Sequence, residues 1–81
     1  MAKPTIKVGG YYALDLPDGK RLAFGVMYGF KDGKNKDVYS LMMLTKEKVF
    51  DFPVHEEVFL QWVTEGRVRE IRWDEALSYV L

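Results

Sequence analysis

The sequence predicts an α+β fold: a small, strongly curved antiparallel β-sheet or SH3-like barrel, with one helix over about 53–65 packed on it and a short C-terminal helix. Three observations carry this. Tyr11 to Phe30 reads as one β-hairpin, because Tyr12, Leu14 and Leu16 alternate with Tyr11, Ala13 and Asp15, and Leu22, Phe24, Val26, Tyr28 and Phe30 resume the alternation after Pro17-Asp18-Gly19. Period-2 apolarity on both sides of a turn signal is what paired strands require, since successive side chains point to opposite faces. From Pro53 the apolar spacing becomes helical, and 81 residues leave room for one core, so residues 1–81 form a single domain.

The elements follow in order. Gly9-Gly10 frees the backbone before the first strand. Gly25 and Gly29 fall on the side of Ala23, opposite the aromatic face, where small residues signal a bulge, a bend or close backbone approach. Lys31 to Asp37 is a polar, turn-rich loop. Val38 to Leu44 is apolar on nearly both faces, as in a central strand covered on both sides, and Val49 to Phe52 is a short further strand. Pro53 suits the first turn of a helix. Glu56 and Glu57 suit its positive N-terminal end, while Val54, Val58, Phe59, Trp62 and Val63 share one face and Gly66 stops it. Arg67 to Trp73 reads as a strand with Arg69, Ile71 and Trp73 on one side. Asp74 reads as the N-cap of a last helix through Leu77, Val80 and Leu81.

The run Val8-Gly9-Gly10-Tyr11-Tyr12-Ala13-Leu14-Asp15-Leu16-Pro17-Asp18-Gly19, continued by Leu22-Ala23-Phe24-Gly25-Val26, resembles the opening hairpin of the immunity protein 26 family. The resemblance covers residues 8–26. It implies a small β-rich protein that neutralises a cognate toxin by binding it, as that family does in bacterial polymorphic-toxin systems. The family pattern has a glycine followed by an acidic residue where this chain has Gly10-Tyr11. No site residue is carried over from it.

Composition removes several function classes. With no cysteine there is neither a disulfide framework nor a thiolate zinc site, which favours a reducing, cytoplasmic setting. MAKPTIKVGG has no apolar core of signal-peptide length, and the longest apolar run, Leu41 to Leu44, is far short of a membrane span. Twelve basic residues balance twelve acidic ones, which argues against a dedicated non-specific nucleic-acid binder. The charges are nevertheless uneven. Lys31, Lys34, Lys36, Lys46 and Lys48 outnumber Asp32, Asp37 and Glu47, Arg67, Arg69 and Arg72 surround Glu70, and Asp51, Glu56 and Glu57 are acidic.

Motifs for catalysis or cofactors fail on their spacing. Gly29 to Asn35 resembles a phosphate loop one residue short, with Asn35 where Ser or Thr belongs. Asp32 to Asp37 resembles a calcium loop with Lys34 and Lys36 in ligand positions. His55-Glu56 begins a zinc-protease signature, but Phe59 replaces its second histidine, so His55 is expected as an exposed first-turn residue. Ser40 lies within a strand and Ser78 within a helix, neither in a nucleophile elbow. No enzyme activity, metal or cofactor is therefore expected.

Two binding constellations remain. One is aromatic: Tyr11, Tyr28, Phe30 and Tyr39 on the sheet, with Trp62 and Trp73. Such rings give large contact area with few rotors to freeze. Each is ordinary core by default, except Tyr11, which lies off the main apolar face. The other is Arg67, Arg69 and Arg72 beside Trp73, which suits an acidic protein surface or the phosphates and bases of a single strand. The expected function is a non-catalytic binding module acting through a protein–protein interface, of inhibitor, immunity or regulatory type. Its partner is a protein, a second copy of the chain included, contacted by Tyr11, Tyr28, Arg69, Arg72 and Trp73. The alternative is a small β-barrel binding RNA or single-stranded DNA through Arg67–Trp73 and the Lys31–Lys36 loop.

Overall fold

The computed structural model describes residues 6–45 and 50–80. Its elements are β1 (Tyr11–Asp15), β2 (Arg21–Lys31), β3 (Asp37–Leu44), β4 (Phe50–His55), α1 (Glu56–Thr64), β5 (Val68–Ile71) and α2 (Trp73–Leu77). The strands form one five-stranded antiparallel sheet in the order β4-β3-β2-β1-β5. The fold is thus a small α+β domain. The outer strands β4 and β5 do not pair with each other, so the sheet stays open and no barrel closes.

Both long hairpins turn by one device. In Leu16–Lys20 the Gly19 N–H donates to the Leu16 carbonyl at 3.0 Å, the Leu16 N–H donates to the Lys20 carbonyl at 2.8 Å, and Gly19 has φ 86°. In Asp32–Lys36 the corresponding bonds are both 3.0 Å, and Asn35 takes the left-handed conformation with φ 61°. This is a tight turn followed by a left-handed residue, the three-residue loop that keeps strand twist, and it needs Gly or Asn at that position. The phosphate-loop and calcium-loop resemblances therefore fall on a hairpin turn, with strands rather than a helix on both sides.

The sheet has two unlike faces. Tyr12, Leu14, Phe24, Val26, Leu41, Met43, Val54 and Val68 point to the inner face, which α1 covers with Phe59 and with half-buried Leu60, Trp62 and Val63. Phe59 stands edge-on to Tyr12 and Phe24, with ring centroids 5.2 and 5.8 Å away, the favoured aromatic geometry. The outer face holds a smaller cluster of Ala13, Ala23, Ile71 and Ala76, covered by α2 over β5 and β1. Small alanines on this side let the short helix lie close to the sheet.

Several expected boundaries shift for definable reasons. Pro53 lies inside β4, paired with Ser40, instead of opening the helix. An edge strand tolerates it because only one side of its backbone has a neighbour. The helix therefore starts at Glu56, Val54 belongs to the strand and Val58 is exposed. Its end is as expected: Gly66, at φ 74°, donates to the Val63 carbonyl and Arg67 to that of Trp62, the paired bonds of a left-handed helix stop. Asp74 is not the cap of α2; the N-cap position is Arg72, and Trp73 opens the helix rather than ending β5. Val49, Leu81 and the lysines at 46 and 48 lie outside the described residues.

The largest departure is in β2. Its partners run Val26↔Leu41 and then Tyr28↔Ser40, so Met27 is an unpaired bulge residue. One extra residue moves every later side chain to the opposite face. Tyr28 and Phe30 therefore leave the face of Phe24 and lie with Ser40 and Val38 on the outer side, while Gly29 joins the inner side opposite Tyr39. The two strand glycines each admit a tyrosine from the neighbouring strand. A Cβ at Gly25 would sit 3.3 Å from the Tyr11 ring, and one at Gly29 would sit 3.1 Å from the Tyr39 ring.

Candidate functional site

The bulge creates the feature that dominates the surface. α2 covers the outer face over β5, β1 and the near end of β2, where Ala23 and Leu44 join its cluster, and none of the described elements packs on it over the far half of β2, β3 and β4. Tyr28 (55% exposed), Phe30 (43%) and Met27 (49%) lie there, and the Tyr28 and Phe30 rings are 6.0 Å apart. A hollow of about 220 Å³ is bounded by Met27, Tyr28, Met42, Phe50 and Asp51, with buried Ser40 in its lining. A second hollow of about 120 Å³ lies against α2, lined by Tyr11, Met42, Leu44, Trp73 and Leu77 among others. Met42 lines both, so the two form one apolar strip from Tyr28 to Trp73, with Phe50 reaching the hollow from the edge strand. β3 is internal, as expected, but covered fully only on its inner side.

The five residues read from the sequence as partner-binding fall differently on this strip. Tyr28 and Trp73 (61% exposed) are at its two ends. Tyr11 lies off the main apolar face, as expected, but it is half-buried between Gly25 and α2 and forms floor rather than rim. Arg69 is on the outer side of β5 and donates to Glu75 of α2 at 3.0 Å. Arg72 is the most open of the arginines, its side chain 83% exposed, with Asp74 at 3.5 Å. Tyr39 and Trp62 pack against the inner core. Met27, Met42, Phe50 and Leu77 were not singled out in the sequence. No local signal marks them, because their exposure follows from a bulge and from where a five-residue helix stops.

The structure does not bring the arginine strand and the lysine loop together. β5 lies two strands from β2, and Lys31 is six residues beyond Gly25, the residue level with the β1–β5 pairing, hence about 20 Å further along. Each arginine also faces an acid: Arg67 with Glu65 at 3.7 Å, Arg69 with Glu75 at 3.0 Å and Arg72 with Asp74 at 3.5 Å.

A polar hollow of about 210 Å³ lies between the β2–β3 turn and the start of α1, lined by Asn35, Lys36, Asp37, His55, Glu56 and Glu57. Asp32 ties the turn together. Its Oδ1 accepts the Lys34 and Lys36 N–H groups at 2.8 and 2.9 Å, and its Oδ2 lies 3.0 Å from His55 Nε2. The backbone donor of Lys36 and then His55 hold its carboxyl below the usual carboxylate range. The Tyr39 hydroxyl donates to Glu56 Oε2 at 3.1 Å; desolvation, then this carboxylate, raises its pKa. His55 is thus exposed at the N-cap of α1 and paired with a carboxylate. None of the six lining residues is a Ser, Thr or Cys nucleophile, and no group of three or more His, Asp or Glu placed to hold a metal occurs among the described residues.

No family model, curated protein or solved structure matches the chain. No helix among the described residues is long and apolar enough to cross a membrane.

Proposed function

We propose that this chain is a non-catalytic binding module that acts through a protein–protein interface, of inhibitor, immunity or regulatory type. The observation that supports the reading is the apolar strip on the outer face, which joins Tyr28 and Phe30 to Trp73 through Met42. Exposed rings around shallow apolar hollows are the anatomy of an interface centre, where Tyr and Trp contribute most of the binding free energy. The resemblance of residues 8–26 to the immunity protein 26 hairpin points the same way. Its share of the strip is the Tyr11 floor.

The test is a native pull-down with the wild-type chain and with Trp73→Ser, each run with and without nuclease. A stoichiometric protein that survives nuclease and is lost with Trp73→Ser supports the reading. Material that disappears with nuclease and depends on Arg69 or Arg72 replaces it with the nucleic-acid alternative.

A further inference from the structure

We infer that the partner of the outer face is a second copy of the same chain, docked about a two-fold axis near Met42. This rests on the interface reading above and names its occupant. An aromatic side chain carries about 150–250 Å². At their exposures Tyr28, Phe30 and Trp73 together leave roughly 240–400 Å² of ring surface open, and Met27 and Leu77 add apolar area beside them. A standard interface buries about 800 Å² per partner, a little over half of it apolar, so this strip supplies about one side of such a contact.

The layout is self-complementary. At one end Trp73 projects, with Arg72 beside it; at the other is the hollow of about 220 Å³, with Asp51 on its rim. Met42 lies between the two ends and lines the hollows on both sides of it. A two-fold axis there places the Trp73 indole of one copy over the Met27–Tyr28–Phe50 hollow of the other. It also sets Arg72 against Asp51 of the partner subunit, and the pair of contacts occurs twice, as an isologous interface requires.

The sheet edges offer a poorer route. β4 carries Pro53, which has no N–H to give to an added strand, and β5 is only four residues long.

The experiment is sedimentation equilibrium on the wild-type chain, on Trp73→Ser and Tyr28→Ser, and on the charge reversals Arg72→Asp, Asp51→Arg and both together. Circular dichroism checks that each variant is folded. The expected result is a species of twice the 9.4 kDa chain mass, with dissociation at least about tenfold easier in each single variant. The double reversal recovers most of the loss, because it restores the Arg–Asp pairing. A wild-type chain that stays monomeric at millimolar concentration overturns the inference, and so does a dimer indifferent to Trp73 and Tyr28. The pull-down separates the two readings. A monomer that still captures a protein in a Trp73-dependent way overturns only the self-association. A monomer whose captures ignore Trp73 overturns both.

Discussion

The two faces of the sheet are built from the same strands and finished differently. The inner face is closed by nine residues of α1, with Phe59 almost fully buried against Tyr12 and Phe24. The outer face receives only five residues of α2, and beyond β1 its rings remain in water. Five residues of α2 extend only about 7.5 Å, against about 13.5 Å for α1, so less of the outer face is covered. The difference teaches that one sheet can have a closed face and an open one, and it predicts that the two contribute unequally to stability. The inner face holds the larger core, and the outer face has a small buried cluster under α2 and open rings beyond it.

The strongest way to break that comparison is at Phe59. Phe59→Ala is expected to cost about 3–5 kcal/mol, against a total of roughly 4–12 kcal/mol for a chain of 81 residues. Urea unfolding followed by tryptophan fluorescence should show a strongly lowered midpoint, which reaches zero denaturant where the wild-type stability is at the low end of that range. A loss under about 1 kcal/mol would mean the inner face is not the core.

Gly29→Ala probes the same side more gently. The new methyl would lie 3.1 Å from the Tyr39 ring, which the Glu56 carboxylate holds by its hydroxyl, and overpacking of this kind costs about 1 kcal/mol. Thermal unfolding of Gly29→Ala alongside Tyr39→Phe/Gly29→Ala should recover part of the loss once the ring is released.

Tyr28→Ser and Phe30→Ser sharpen the comparison from the other side. Both should leave the unfolding free energy within about 0.5 kcal/mol of wild type while abolishing the capture or self-association attributed to the strip. A cost comparable to that of Phe59→Ala would show the outer rings to be structural.

The smallest effect belongs to Asp32. Its carboxyl ionises below the ordinary value of 3.8, so its charge stabilises the fold fully at pH above that value. That contribution is lost as pH falls through the lowered pKa. Stability of Asp32→Asn should therefore converge on wild type at the acid end and fall slightly below it at neutral pH. An unchanged difference across pH 2–7 would mean that the bond to His55 contributes through shape alone.

Much of the fold is legible in the sequence, because it depends on local chemistry. Pro17-Asp18-Gly19 and Gly66 act within a few residues, and both place their turns where expected. The alternation of Tyr12, Leu14, Leu22, Phe24 and Val26 locates the inner face. What was not legible depends on pairing partners. Pro53 suits a helix start or an edge strand equally well, and only the position of β4 at the margin of the sheet decides between them. Gly25 and Gly29 signal a bulge, a bend or a close approach without saying which residue drops out of register, so continuing the alternation past Met27 to Tyr28 and Phe30 put them on the wrong side. Of the site, Tyr28 and Trp73 were readable as aromatic candidates but not as exposed rings, since each reads as core by default, and the structure leaves them 55% and 61% exposed. Arg69 was not readable as tied down, since Glu75 belongs to an element whose packing the sequence does not reveal.

The unpaired Met27 amounts to a shift of reading frame in the third dimension. Upstream of it even-numbered residues of β2 face the core, and downstream they face out. A one-residue insertion or deletion between Val26 and Lys31 would thus exchange the strand's outer-facing side chains for inner-facing ones, or the reverse. Comparison with any related chain should therefore align this segment by the side of the sheet each residue occupies. Two sequences identical in β2 but differing by one residue at this point would present different molecules to a partner.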